Sequence, residues 1–296
     1  MASPRLTLRP LEPRDCERLL TWVRTEDDLY QWSGVRSFSW PLDHGQLLRD
    51  LEASGEPRLL FAAVDGGGEM AGHVMLDINR HHRAGLIGRV AVAPERRGRG
   101  WGTALMRETV RHAFDEQGLH RLQLAVYTFN AAAIACYRSV GFLVEGASPD
   151  SARGSGGYWT SLTMSLLEPD YRRPLVLGDG IRLAAPRDAD AVAALLTRDG
   201  HPHAREHAAT RLLSWAADPQ GIVLVAEAGG SVTGAVAAHR LPAFEQPGHS
   251  ARIAWLAVDE DHRDGTLEAR LVEAATRWLN ARGDGVPTVK PSGPRA

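Results

Sequence analysis

An α/β fold is predicted for this chain, in two successive units of which the second is a partial copy of the first. Three observations carry the prediction. A β-rich apolar run, Leu86 to Val92, ends at Pro94 and leads through a glycine loop into an amphipathic helix. An alternating strand and a second helical segment follow it. A large part of this pattern then recurs after residue 178.

The elements follow in order. Leu59 to Val64, the turn Asp65-Gly-Gly-Gly68 and Glu69 to Leu76 form a strand, glycine turn, strand unit. Leu86 to Val92 is the next strand, and Arg97-Gly98-Arg99-Gly100-Trp101-Gly102 is the loop after it. Thr103 to Gln117 is a helix with Met106, Val110, Ala113 and Phe114 on one face, stopped by Gly118. Leu122, Leu124 and Val126 alternate with Gln123 and Ala125 in a further strand. Asn130 to Gly141 is the second helix, and Tyr158 to Leu166 a last strand.

At 296 residues the chain suits two domains, with ordinary globular apolar (44%) and charged (24%) fractions. A formal net charge of -2 supplies no basic face for nucleic acid or a membrane surface, so neither partner is expected. No apolar run reaches spanning length, and the N-terminus lacks a signal-peptide core. Cys16 and Cys136 are the only cysteines and lie far apart in sequence, which fits packing residues in a reducing, cytoplasmic setting.

The glycine loop carries the chemistry. A strand turning through glycines into a helix N-terminus leaves several backbone N–H groups aimed one way, and the helix dipole adds to them. Such a cradle suits a phosphate. The spacing is not that of a P-loop, and Gly98-x-Gly100-x-Gly102 is not the dinucleotide fingerprint. Arg97-x-x-Gly100-x-Gly102 resembles the pyrophosphate loop of the GNAT N-acetyltransferases. Asn130-x-x-Ala-x-x-x-Tyr137-x-x-x-Gly141-Phe142 resembles the later motif of the same family, at the right distance. The resemblance spans about Leu6 to Leu167, nearest to the ribosomal-protein, spermidine and aminoglycoside branch.

That resemblance implies a mixed, mostly antiparallel central sheet flanked by helices, and acetyl-CoA as co-substrate. It implies pantetheine contacts along Val90, Ala91 and Val92. It also implies pyrophosphate contacts from Arg97, Gly98, Arg99, Gly100, Trp101, Gly102 and Thr103, with Asn130 as a cofactor contact or helix cap. Tyr137 is implied as the acid that protonates the departing thiolate. Many members carry a glutamate base on the strand before the loop, but Leu86 to Val92 contains no acid. Asp77 is the best substitute as base, acting through water or serving only as a strand-end cap; Asp43 and His44 are weaker candidates. His81-His82 suggests no metal site, because a third ligand is missing. Trp22, Trp32 and Trp40 lie where the family builds acceptor walls for an apolar or cationic amine, with core packing as the default for each.

The second half repeats Arg9 and Pro13-Arg14-Asp15 as Arg182 and Pro186-Arg187-Asp188, and Gly72 as Gly234. Arg97 recurs as Arg263, Gly100 maps to Thr266 and Gly102 to Glu268. The expected organisation is a catalytic domain at 1–168, a degenerate partial copy at 178–283 and a tail at 284–296. The copy would expose the edge of the strand Ala251 to Val258, covered by the tail's Val286 to Lys290, by the first domain or by a homodimer. The leading function is acetyl-CoA-dependent acetylation of a primary amine, on a protein N-terminus or a small molecule. The alternative is a non-catalytic acyl-CoA-binding regulatory protein.

Overall fold

Alternating burial along the strands places two different helical layers on one sheet. The computed structural model describes residues 4–172, 177–206, 208–242, 249–263, 265–280 and 289–290. The chain divides into two compact units, Met1–Arg172 and Arg173–Ala296.

The first unit runs β1 (Thr7–Pro10), α1 (Pro13–Trp22), α2 (Glu26–Ser33), α3 (His44–Glu52), β2 (Arg58–Val64), β3 (Met70–Asn79) and β4 (Ala84–Val92). It continues with α4 (Trp101–Arg111), β5 (Arg121–Tyr127), α5 (Ala131–Val140), β6 (Leu143–Gly154), β7 (Gly157–Leu167) and α6 (Glu168–Arg172). The sheet order is β1-β2-β3-β4-β5-β7-β6. Every neighbouring pair is antiparallel except β4 with β5.

The two faces differ. Gly72 faces α4: a Cβ there would stand 3.0 Å from Leu105 Cδ2, so β3 and α4 approach closely only because of that glycine. Leu122, Leu124 and Val126 share this face and are buried, as are Met106, Val110, Ala113 and Phe114. On the other face Cys16, Leu19, Trp22, Leu29 and Leu47 from α1–α3 pack with Leu60 and Ala62. Both cysteines are free thiols. The unit extends past the expected boundary at 168 because α6 docks: Tyr171 OH donates to Asp115 at 3.0 Å and Arg172 pairs with the same carboxylate.

The second unit runs β8 (Ile181–Leu183), α7 (Ala189–Arg198), α8 (Ala208–Ala217), β9 (Gly221–Ala228), β10 (Ser231–Pro242), β11 (His249–Val258), α9 (Thr266–Asn280) and β12 (Val289–Lys290). Its sheet order is β12-β11-β10-β9-β8. The repeated Arg and Asp are one device used twice. Arg9 grips Asp15 with two bonds of 2.6 and 2.8 Å, and Arg182 grips Asp188 at 2.7 and 2.9 Å. In both, the same carboxylate also takes a backbone N–H, from Glu12 or Ala185.

The loop of the copy matches that of the first unit in a different register from the one its sequence suggests. Arg97 Nε donates to Val92 O at 3.0 Å, and Arg263 Nε to Val258 O at 3.3 Å. Helix α4 opens with Ala104 N bonded to Gly100 O, and α9 with Ala269 N bonded to Gly265 O. Gly100 and Gly265 share a left-handed φ, +82° and +80°. The copy's loop is therefore one residue shorter. Gly100 corresponds to Gly265 rather than Thr266, and Gly102 to the buried Leu267 rather than Glu268. Of the expected edge cover, Val289 and Lys290 pair parallel with Ala251 and Arg252. Residues 286–288 and 291–296 lie outside the described residues. Among the described residues, no helix is long and apolar enough to cross a membrane.

Candidate active site

The parallel β4–β5 pairing stops early. It joins Ala84–Ile87 to Arg121–Leu124, and from Gly88 onward the two strands have no mutual partners. The sheet opens at that point, leaving one side of Gly88 to Val92 available to an extended ligand. Val90, Ala91 and Val92 sit on this free edge and are half-buried.

The glycine loop lies at the same end. Gly98 has φ +73° and Gly100 φ +82°, so both adopt the left-handed backbone that favours glycine. Gly100 caps α4 with no side-chain hydrogen bond. Because the first helical bond begins at Ala104, the N–H groups of Trp101, Gly102 and Thr103 point out of the helix. Gly102 is helical, and a Cβ on it would meet Cys136 Sγ at 3.6 Å and Val92 Cγ2 at 3.7 Å, ordinary contacts. Packing therefore does not require glycine at 102; a ligand approaching the backbone would. These features fit a pyrophosphate.

Side chains around the loop are already engaged. Arg97 holds Val92 O through Nε. Trp101 carries the Arg96 guanidinium over its ring at 4.4 Å, and Arg96 pairs with Asp65 and Glu69 of the β2–β3 turn. Thr103 Oγ1 donates to Cys136 Sγ at 3.6 Å. Arg99 and the flanking glycines are exposed. Asn130 caps α5, its Oδ1 accepting from Ala133 N at 3.1 Å.

Helix α5 brings Tyr137 to this end of the sheet, since its neighbour Cys136 lies beside Gly102 and Thr103. Tyr137 is buried, and its ring centroid is 6.2 Å from that of Phe142. Burial, with Cys136 adding, pushes the phenol well above its usual value, so it stays protonated. Burial also raises the Cys136 thiol, which argues for packing rather than nucleophilic chemistry.

Arg89 is the feature that sequence reasoning missed. Between His73↔Ala91 and Met75↔Gly88 the β3–β4 register shifts, so Arg89 and Val90 together face the single residue Val74. Arg89 takes φ +53° there. Its guanidinium is buried, forms a two-pronged pair with Asp50 of α3, and lies 4.7 Å from the Phe38 ring centroid. Its carbonyl accepts from Trp32 Nε1 at 2.9 Å, and Trp32 stacks on Phe38 at 5.6 Å. The strand before the glycine loop holds no carboxylate, and at its bulge stands an arginine neutralised by Asp50.

The remaining candidates scatter. Asp77 lies opposite Leu86, 3.6 Å from Arg58. That is four strand residues from Val90, about 13 Å along β4, so the structure does not bring Asp77 to the opening. Asp43 is the α3 N-cap, accepting from Gln46 N at 2.7 Å, and His44 opens that helix. His81 and His82 sit in an exposed turn, and no cluster among the described residues could hold a metal. Trp22 is core, Trp32 partly buried beside the bulge, and Trp40 exposed.

The chain belongs to the acetyltransferase (GNAT) family, whose pattern matches residues 20–142 and again 189–289. It is an acyltransferase that uses acetyl-CoA and acetylates an amine. An L-amino acid N-acetyltransferase of Escherichia coli K12 is 27% identical over 155 residues, covering 52% of this chain and 92% of that protein. A spermidine N(1)-acetyltransferase of Vibrio cholerae is 26% identical over 175 residues, covering 57% and 96%. The crystal structure of a Vibrio cholerae spermidine N-acetyltransferase with CoA and spermine superposes with a TM-score of 0.51 at 24% identity. It covers 57% of this chain and 99% of that one, a likeness of fold.

Proposed function

We propose that the first unit carries the working site and acetylates a primary amine of modest basicity, on a protein N-terminus or a small molecule. The observation that carries this reading is the opening between β4 and β5, with the glycine cradle and Tyr137 at the same end. In the proposed reaction the amine nitrogen attacks the thioester carbonyl, forming C–N and breaking C–S. A backbone N–H along Val90 to Val92 holds the oxyanion. Tyr137 gives its proton to the departing sulfur, and the amine loses one to water.

The lack of a carboxylate at the bulge bears on the acceptor. An α-amino group, pKa ~7.7–8, is roughly a tenth neutral at pH 7, whereas a lysine-type amine near 10.4 is almost wholly charged. A site with no strong base suits the former. Thiol release from acetyl-CoA, measured over a panel of α-amines and alkylamines from pH 6 to 9, tests the reading. Turnover favouring α-amines at neutral pH supports it. Equal preference for strongly basic amines refutes it.

A further inference from the structure

Three aromatic rings stand at the mouth of the opening, on the face opposite the glycine cradle. Tyr127 ends β5, Phe129 follows it, and Trp159 lies early in β7. Tyr127 and Phe129 stack at 5.6 Å with 6° between planes. Trp159 meets both edge-on, at 4.9 and 5.1 Å. Leu122, Leu124 and Val126 face α4, so Tyr127 faces the other way, as do its cross-strand partner Ser161 and hence Trp159. Phe129 is 49% exposed, so the cluster presents open ring surface to solvent.

The cluster is rigidly built. Thr128 N donates to Thr160 O at 3.0 Å, and Asn130 N to Tyr127 O at 2.9 Å. Trp159 lies so flat on Gly154 that a Cβ there would collide with the indole. The β6–β7 tip is tied to α2, because Ser155 N donates to Asp27 Oδ1 at 2.9 Å and Ser155 Oγ to Asp27 Oδ2. Helix α2 itself anchors Trp32 on the bulge. The tip thus bridges the α1–α3 layer and the aromatic rings, on the face left to the acceptor when the cofactor phosphates take α4.

We propose that Tyr127, Phe129 and Trp159 form a shelf that selects the acceptor, and that it seats an amine with an apolar, aryl-bearing skeleton. The inference rests on the amine-acetyltransferase reading of the same site. Its physical basis is the large area and preferred packing geometry of aromatic pairs. The rings touch one another and so present a platform, rather than a cage, to the incoming group. A flat ring stacks on such a surface; a short polar amine gains little from it.

The test uses the full chain with phenylalaninamide, 1,4-diaminobutane and glycinamide as acceptors, followed by thiol release, with acetyl-CoA affinity read separately by calorimetry. The two amides share the modest basicity of an α-amine and differ in the aryl group, so the expected kcat/KM is highest for phenylalaninamide. Phe129→Ala should raise KM for phenylalaninamide about tenfold and for glycinamide less, with kcat and acetyl-CoA affinity little changed. Phe129→Leu should recover part of the loss. Preference for 1,4-diaminobutane, or a lost acetyl-CoA affinity in Phe129→Ala, overturns the shelf, the first by making the site cationic-selective and the second by assigning the rings to the cofactor. No turnover with any amine despite acetyl-CoA binding overturns the underlying reading, and the shelf with it.

Discussion

Gly102→Ala should separate folding from cofactor binding. Gly102 sits in the first turn of α4, outside the left-handed region. Its added methyl would meet only Cys136 Sγ and Val92 Cγ2, at 3.6 and 3.7 Å. The folded state therefore accepts alanine, and relief of glycine's chain entropy should raise stability by roughly 0.5–1 kcal/mol. On the cradle reading a phosphate seated on the helix N–H groups lies against this residue, where the methyl would crowd it. A charge-assisted hydrogen bond is worth about 1.5–3 kcal/mol, so losing one should weaken acetyl-CoA by roughly 10–100-fold. Gly100→Ala is the contrasting variant. Its φ of +82° makes any Cβ strained, and it should lose about 1–2 kcal/mol of stability. Calorimetric titration with acetyl-CoA beside thermal melts reads both quantities. A Gly102→Ala protein that binds acetyl-CoA as tightly as the parent would refute the cradle argument.

The remaining predictions concern other parts of the frame. Tyr137→Phe should lower kcat by about 10–100-fold with acetyl-CoA affinity nearly unchanged, since the proton is needed only as the thiolate develops; single-turnover kinetics checks this. Asp50→Asn leaves the buried Arg89 unpaired and should cost about 3–5 kcal/mol in urea unfolding, with a lowered kcat as the bulge loosens. Burial, with Arg89 adding, lowers His73 to about 4, so the fold binds its neutral form. Stability should be full above the unfolded value near 6.5, fall by roughly 3 kcal/mol as pH drops to 4, and lose this slope in His73→Gln. Calorimetry should give one acetyl-CoA per chain, because the copy's loop is one residue shorter and carries a leucine, Leu267, at the position of Gly102.

What the sequence disclosed was local, and what it hid depends on pairing across distance. The loop, its glycines and the helix with Met106 and Val110 inward follow from periodicity and from the conformations only glycine adopts readily. So do the alternating residues of β5. The bulge at Arg89 does not, because it exists only in the register between β3 and β4, and Arg89 in isolation reads as a polar strand residue. By sequence Asp77 is an acid near the end of the strand that precedes β4. Antiparallel pairing carries it to the other end of β4, against Arg58. The aromatic shelf joins residues 127, 129 and 159, and the Asp27–Ser155 tie links positions 128 apart. Neither leaves a periodic mark.

The copy shows why a frame can outlast its site. The Arg–Asp clamp, the close approach at Gly234 and the arginine bonded back to its strand all hold elements together. Each recurs with nearly the same geometry. These interactions are rewarded by folding itself. The cradle is not: Gly98 and Gly102 add conformational freedom to the unfolded chain and give the fold no side chain to pack. Where no ligand returned that cost, a shorter loop and a buried Leu267 would be favoured, since Leu267 packs toward Gly234 and adds to the core around Leu271. Conversely, glycine at 102, where packing permits a larger residue, is what a bound phosphate would maintain. The difference between the two units thus argues for a ligand on the first more directly than either unit does alone.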